Sequence, residues 1–82
     1  MDIKILGAGC AKCHSLEQAA RNVVQREGID ATVSKVEDIT DIIAYGVMVT
    51  PALVINERVV VKGRVPSENE LSQLLKNPEN AS

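Results

Sequence analysis

Two cysteines separated by two residues, Cys10 and Cys13, are the residues of this 82-residue chain whose types and spacing could do chemistry. They follow a short apolar run that ends at Leu6 and precede a segment with helical periodicity, so we place the pair at the first turn of a helix. Unpaired backbone N–H groups and the positive end of the helix dipole both favour a thiolate there. Because the thiolate attacks disulfides and binds soft metals, the pair predicts redox chemistry or metal binding.

In the redox interpretation the two thiols have different roles. Cys10 is the exposed nucleophile that forms a mixed disulfide with the substrate. Cys13, one helical turn away, is the more buried resolving thiol, which closes a Cys10–Cys13 disulfide and releases the reduced partner. Lys12 could stabilise the thiolate as a nearby cation. His14 could tune the same thiolate, although a surface histidine is the better interpretation, and the cycle needs no bound cofactor.

Two other functions are alternatives to the redox interpretation, and the first, a soft-metal carrier, would use the same two cysteines. The loop from Gly7 to Cys13 also resembles the Gly-Met-x-Cys-x-x-Cys loop of heavy-metal-associated domains, which carry copper(I), although Ala8 stands where that loop has Met. A structural zinc site needs four ligands, and the chain offers only His14 beside the cysteines, so we predict no such site. The third alternative is a non-catalytic interaction module.

The elements that must position the cysteines follow from the periodicity of apolar residues. In chain order we predict a strand over Ile3–Leu6, a helix from Ala11 to a cap at Gly28, a strand over Ile29–Val36, a short helix from Asp38 to Gly46, strands over Ala52–Ile55 and Arg58–Lys62 joined by Asn56-Glu57, and a helix from a capping box at Ser67 and Glu70 to near Asn77-Pro78. Ile39, Ile42 and Ile43 are predicted to form the inner face of the short helix, and Leu71, Leu74 and Leu75 that of the last one. On the first helix Glu17 and Arg21 are assigned to the face away from the apolar stripe.

This β-α-β-α-β-β-α order predicts an α/β domain of three layers, with a four-stranded mixed sheet and helices on both faces. The early strands, joined by helices, should be parallel through right-handed crossovers, and the last two should form an antiparallel hairpin. We expect one domain over residues 1–78 and a frayed tail over 79–82.

Composition narrows the function further. Hydrophobic residues make up 45% of the chain, yet Tyr45 is its single aromatic residue, which excludes a nucleobase-stacking platform. The net charge of −2 and the scattered basic residues argue against nucleic acid. The apolar runs are too short for a membrane span, and no signal segment opens the chain. We therefore expect a cytoplasmic monomer, and in the reducing cytoplasm a close cysteine pair indicates catalysis or metal binding.

The segment from Val49 to Ile55, with its Thr50-Pro51, resembles the cis-proline segment of the thioredoxin superfamily. Together with the cysteine motif and Gly63 it extends the resemblance from Ile3 to about Leu75, and the chain is most similar to small thioredoxin- and glutaredoxin-like redox-active disulfide proteins. The resemblance implies a thioredoxin-like fold, disulfide oxidoreductase activity and a role in electron transport. It implies an upstream disulfide reductase and disulfide-containing proteins as partners.

The same resemblance implies that Thr50 and a cis Pro51 pack beside the cysteines, and that their backbone accepts an extended substrate as an added strand. The chain departs from the family at several positions: Gly9 stands in place of tryptophan, Ala11-Lys12 in place of Gly-Pro, Lys4 in place of a buried acid, and residues 61–65 in place of a Gly-Gly-Asp-like glutathione turn. We therefore expect partner choice to depend on Lys12, Met48 and the Thr50-Pro51 backbone, without ring stacking.

Overall fold

The computed structural model describes residues 1–9 and 11–76. Its elements, in chain order, are β1 (Asp2–Leu6), α1 (Ala11–Glu27), β2 (Thr32–Val36), α2 (Ile39–Ala44), β3 (Ala52–Ile55), β4 (Arg58–Lys62) and α3 (Glu68–Lys76). This order confirms the predicted β-α-β-α-β-β-α α/β fold. The predicted end of the last helix near Asn77-Pro78 and the predicted tail over 79–82 lie outside the described residues.

The four strands form one mixed sheet in the order β2-β1-β3-β4. β1 and β2 are parallel, as predicted, and β3 and β4 form the predicted antiparallel hairpin. The expectation that strands joined by helices are parallel is wrong for β3, which runs antiparallel to β1. The six residues of α2 rise only about 9 Å, whereas a five-residue strand spans about 16 Å. The chain therefore stays at the end of the sheet where β2 finishes and enters β3 there, with Ala52 opposite Leu6.

Strand alternation divides the apolar side chains between two cores. Ile3 and Ile5 face the core that α1 and α3 cover, and Leu6 faces the second core, beneath α2. β3 follows the same rule, since Leu53 and Ile55 lie in the first core and its other two residues in the second. The result is the predicted three-layer arrangement, with a thin aliphatic core on each face of the sheet.

β2 begins at Thr32, three residues later than predicted. The preceding residues close the end of α1, because the amide of Ile29 donates to the carbonyl of Val24 at 3.0 Å and Gly28 has a φ of +64°. This is a Schellman cap, and it confirms Gly28 as the helix terminus. The backbone amide of Ile29 is therefore committed to the helix and not to the sheet.

The prediction for the faces of α2 is partly wrong. Ile42 is buried, but Ile39 is 67% exposed and Ile43 is 55% exposed. Ile39 and Ile43 lie about 60° and 100° from Ile42 around the helix axis, so a single helix that touches the sheet at one point buries only the central side chain. Tyr45 and Val47, which follow α2, complete the contact with the second core.

The β3–β4 turn positions a polar network beneath the sheet. Asn56 and Glu57 have φ values of +50° and +68°, the conformation of a type I′ hairpin turn. The Asn56 side chain accepts from the amide of Asp2 at 2.9 Å, and the Glu57 carboxylate accepts from the Lys4 ammonium. The turn is thereby attached to β1 by two side chains.

No helix among the described residues is long and apolar enough to cross a membrane.

Candidate active site

Cys13 lies in the first turn of α1 and is only 5% exposed. Its neighbours Lys12 and His14 are both exposed. Cys10, the predicted nucleophile, lies outside the described residues, so its role and the predicted Cys10–Cys13 disulfide stay predictions. The buried position of Cys13 is the one expected of a thiol that acts only on its immediate neighbour.

Gly7 is the point at which the loop after β1 meets Cys13 and Thr50. A Cβ atom built on Gly7 would overlap Sγ of Cys13, and it would lie 3.1 Å from Cβ of Cys13 and 3.7 Å from Cβ of Thr50. The amide of Gly7 donates to the carbonyl of Val36 at 3.0 Å, which fixes this backbone at the end of the sheet. The structure thus brings Cys13 and Thr50 to the same place, around the position that a side chain at Gly7 would occupy.

The Thr50–Pro51 peptide bond is cis. Thr50 is exposed, whereas Pro51, directly before β3, is buried. The carbonyl of Pro51 accepts from the amide of Gly63 at 2.8 Å, and a Cβ on Gly63, which has a φ of +80°, would lie 3.1 Å from Cγ1 of Val49. Gly63 therefore allows the end of β4 to lie close beneath the proline segment.

The segment before Thr50 presents apolar side chains to solvent. Met48 is 88% exposed and Val49 is 55% exposed. Both lie in the connection between α2 and β3, directly before Thr50. Thr50 and Cys13 both lie next to the would-be Cβ atom of Gly7. Exposed apolar side chains therefore occupy the two positions before Thr50.

A cavity of about 250 Å³ adjoins Cys13 on the side of the sheet covered by α1. Its lining residues are Ile5, Gly7, Gly9, Ala11, Cys13, His14, Glu17 and Lys35. The Glu17 carboxylate lies 3.0 Å from Nη2 of Arg21 and 3.9 Å from Nζ of Lys35. The sequence assignment of Glu17 to the outer face of α1 is wrong, because its side chain is only 13% exposed where α1 passes over β2.

Lys4, at the position of the family's buried acid, lies on the other face of the sheet. Its ammonium donates to the hydroxyl of Tyr45 at 3.0 Å and to Glu57, and it lines a separate cavity of about 400 Å³. The carboxylate of Glu57 and the phenol of Tyr45 raise the pKa of Lys4. Ile5, the next residue, faces the cavity at Cys13, so the strand directs the cation away from the thiol.

The sequence model described as "Thioredoxin domain" matches residues 1–76 of the chain. The chain belongs to the thioredoxin family. It is 37% identical over 75 residues to a thioredoxin of Methanothermobacter thermautotrophicus, covering 92% of this chain and 97% of the relative. A thioredoxin of Methanocaldococcus jannaschii is also 37% identical over 75 residues, covering 92% of this chain and 86% of the relative.

Membership of the thioredoxin family makes the chain a thioredoxin-like disulfide oxidoreductase. It confirms the resemblance to the thioredoxin superfamily that the sequence motifs indicated. It does not support the copper-carrier alternative. Heavy-metal-associated domains end on a strand, whereas the last described element here is α3. Among the described residues no group of three or more His, Cys, Asp or Glu side chains could hold a metal ion.

The residues that the sequence interpretation missed are Glu17 and Lys35. One signal was available for Glu17, because residues four apart on a helix are neighbours and Glu17 follows Cys13 by four. No such signal existed for Lys35. Its place beside Cys13 depends on the parallel pairing of β2 with β1, in which Lys35 lies opposite Ile5.

Proposed function

We propose that this thioredoxin-family protein reduces protein disulfides through Cys10 and Cys13, in a single domain spanning residues 1–78. The observation that carries the proposal is the burial of Cys13 in the first turn of α1, against Gly7 and beside Thr50. The helix N-terminus supports the thiolate form of a cysteine just before it. Burial of Cys13 favours its reaction with a neighbouring sulfur, such as that of Cys10, over its reaction with a substrate in solution.

The cycle follows from the two positions. The Cys10 thiolate attacks one sulfur of the substrate disulfide, forms a mixed disulfide, and displaces the other substrate sulfur as a thiolate that takes up a proton. Cys13 then loses its proton and attacks Sγ of Cys10. The second substrate sulfur departs with the electron pair and is protonated, so the substrate gains two electrons and two protons while the protein becomes the Cys10–Cys13 disulfide.

The substrate would bind along the Thr50–Pro51 segment. This segment directly precedes β3, and an extended peptide could add to its backbone through main-chain hydrogen bonds. Exposed Met48 supplies apolar contact next to this backbone, and exposed Lys12 supplies a positive charge on the α1 side. Because no aromatic side chain is present at Gly9, recognition would depend on these groups and on shape.

The protein's return to the dithiol state requires two electrons, for which we propose an upstream disulfide reductase as the donor, in an electron-transport chain of thiol–disulfide exchange. A cycle of this kind works in a compartment that keeps thiols reduced, for which the cytoplasm is our proposal. No cofactor, metal ion or nucleic acid takes part in the cycle.

The test is dithiothreitol-driven reduction of insulin by purified protein. Cys10→Ser should abolish turnover above the uncatalysed rate, since no nucleophile remains to form the mixed disulfide. Cys13→Ser should also stop turnover but should accumulate a mixed disulfide on Cys10, detected by mass spectrometry. Ala11→Ser, a change at an exposed residue that retains both cysteines, is the control and should stay active. Unchanged insulin reduction by Cys10→Ser would overturn the proposal.

A further inference from the structure

The cavity beside Cys13 is lined by a carboxylate that could accept the proton of this buried thiol. Cys13 and Glu17 both line it, and their spacing of four residues places their Cβ atoms about 6 Å apart on one face of α1. Its volume of about 250 Å³ is large enough for several water molecules. The carboxylate of Glu17 and the thiol of Cys13 therefore share one small cavity.

The chemistry of resolution requires such a link. A thiol must lose its proton before its sulfur can attack a disulfide, and burial of Cys13 disfavours a charged thiolate. Bulk solvent has little access to a side chain that is only 5% exposed. A proton acceptor fixed in the same cavity would therefore accelerate deprotonation of Cys13. Lys4 cannot serve, because its ammonium lies on the other face of the sheet with Glu57 and Tyr45.

We propose that Glu17 is the proton acceptor for Cys13 during resolution of the mixed disulfide, and that Lys35 positions its carboxylate; this rests on the proposed function. The proton moves from Sγ of Cys13 to the Glu17 carboxylate, directly or through water in the cavity. The Cys13 thiolate then attacks Sγ of Cys10, and the departing substrate sulfur takes the electron pair. Glu17 returns its proton to solvent or to the leaving thiolate, so protons and electrons balance.

The charges around the cavity keep Glu17 in place for this role. On α1, Arg21 contacts its carboxylate at 3.0 Å, and the exposed His14 lies on the cavity wall one turn earlier. From β2, Nζ of Lys35 lies 3.9 Å from the other carboxylate oxygen. Lys35 lines the same cavity as Cys13, so its positive charge would favour the negative charge that develops on the sulfur.

The experiment isolates the second step of the cycle with dithiobis(nitrobenzoate). The reagent forms a nitrothiobenzoate mixed disulfide on Cys10 and releases one coloured thiolate, and attack by Cys13 then releases a second. Stopped-flow absorbance measures the rate of this second release as a function of pH. Nitrothiobenzoate leaves without needing a proton, so the measured rate reports proton loss from Cys13 and its attack.

For Glu17→Gln we expect the second release to slow by at least about 10-fold at pH 7, a lower bound set beneath the roughly 100-fold to 10,000-fold effects typical of general acid–base catalysis. The difference from the unmodified protein should narrow as pH rises, because hydroxide can then remove the proton of Cys13 without help from Glu17. Lys35→Gln should slow the same step by less. Glu37→Gln, an exposed position in the β2–α2 connection that loses the same charge, is the matched control and should leave the rate unchanged.

The outcomes separate this inference from the proposed function. If Glu17→Gln and Glu37→Gln release the second thiolate at equal rates at pH 7, Glu17 is not the acceptor, although the exchange reaction stands. A defect of Glu17→Gln that persists unchanged at high pH would indicate displaced structure and would also overturn the inference. If the unmodified protein releases only the first thiolate, the proposed function itself fails.

Discussion

Sγ of Cys13 occupies the space into which a side chain at Gly7 would point. A Cβ atom there would overlap the sulfur and lie 3.1 Å from Cβ of Cys13. The glycine is therefore required by the close approach of the loop after β1 to the first turn of α1. This contact sets the position of the buried thiol relative to Thr50, whose Cβ lies 3.7 Å from the same would-be Cβ atom.

Gly7→Ala should move Cys13 away from β1 and slow its attack on the mixed disulfide. We expect a loss of about 1–3 kcal/mol in the free energy of unfolding, as for overpacked interior sites, measured by urea denaturation. Gly46→Ala is the matched control, because Gly46 has a φ of +77° but no neighbour within 4 Å of its would-be Cβ. It should lose about 1 kcal/mol through backbone strain and retain the rate of the second thiolate release. Equal rates for both variants would contradict this account of Gly7.

The ion pair between Lys4 and Glu57 should make stability depend on acid pH. The Lys4 ammonium, and then the Tyr45 hydroxyl, lower the pKa of Glu57 below its ordinary value of 4.5. Because the unfolded chain binds this proton more readily, stability is fully present above about pH 4.5 and is lost as pH falls through the folded-state pKa. Urea midpoints measured between pH 3 and pH 7 should therefore fall at the acid end, and Glu57→Gln should fall less steeply.

Lys4→Met provides the matching arm of that experiment. Without the ammonium, Glu57 loses the main cause of its lowered pKa, so Lys4→Met should flatten the acid limb much as Glu57→Gln does. The double variant should add little to either single one, since both remove the same interaction. An acid limb left unchanged by both single substitutions would show that the dependence arises from other carboxylates, among them Glu27 and Glu70, whose pKa values Lys76 and Arg64 lower.

The two isoleucines at the end of α2 should differ sharply in their effect on stability. Ile42 is 3% exposed in the second core, so Ile42→Ala should lower the free energy of unfolding by about 2–4 kcal/mol. Ile43 is 55% exposed, so Ile43→Ala should change it by less than about 0.5 kcal/mol. Chemical denaturation of both variants tests the comparison. A similar loss for the two would contradict the orientation of the helix.

Asp38 should hold the start of α2. Its side chain accepts from the amide of Thr40 at 2.8 Å, and its backbone is extended, as expected of an N-cap residue. Asp38→Ala should lower the free energy of unfolding by about 1 kcal/mol, and Asp38→Ser, which can accept the same hydrogen bond, should restore most of it. Failure of serine to restore stability would assign the loss to charge and not to capping.

The sequence by itself determined the order of elements, the hairpin and the cysteine motif at the start of α1, because each depends on local periodicity, caps and turn residues. Asn56 at the turn and Gly28 at the end of α1 act through their own backbone and their nearest neighbours. The family resemblance likewise rested on short motifs at fixed spacing. These features are encoded within a few residues and can be found without knowing the fold.

Only the tertiary structure decided what surrounds the thiol. The direction of β3 depends on the end of the sheet at which the chain emerges from the short helix α2. The exposure of Ile39 and Ile43 depends on how that helix contacts the sheet. The need for glycine at position 7, and the meeting of Glu17 with Lys35 beside Cys13, depend on the packing of α1 over β1 and β2. Such contacts join residues that lie far apart along the chain, so no local pattern records them.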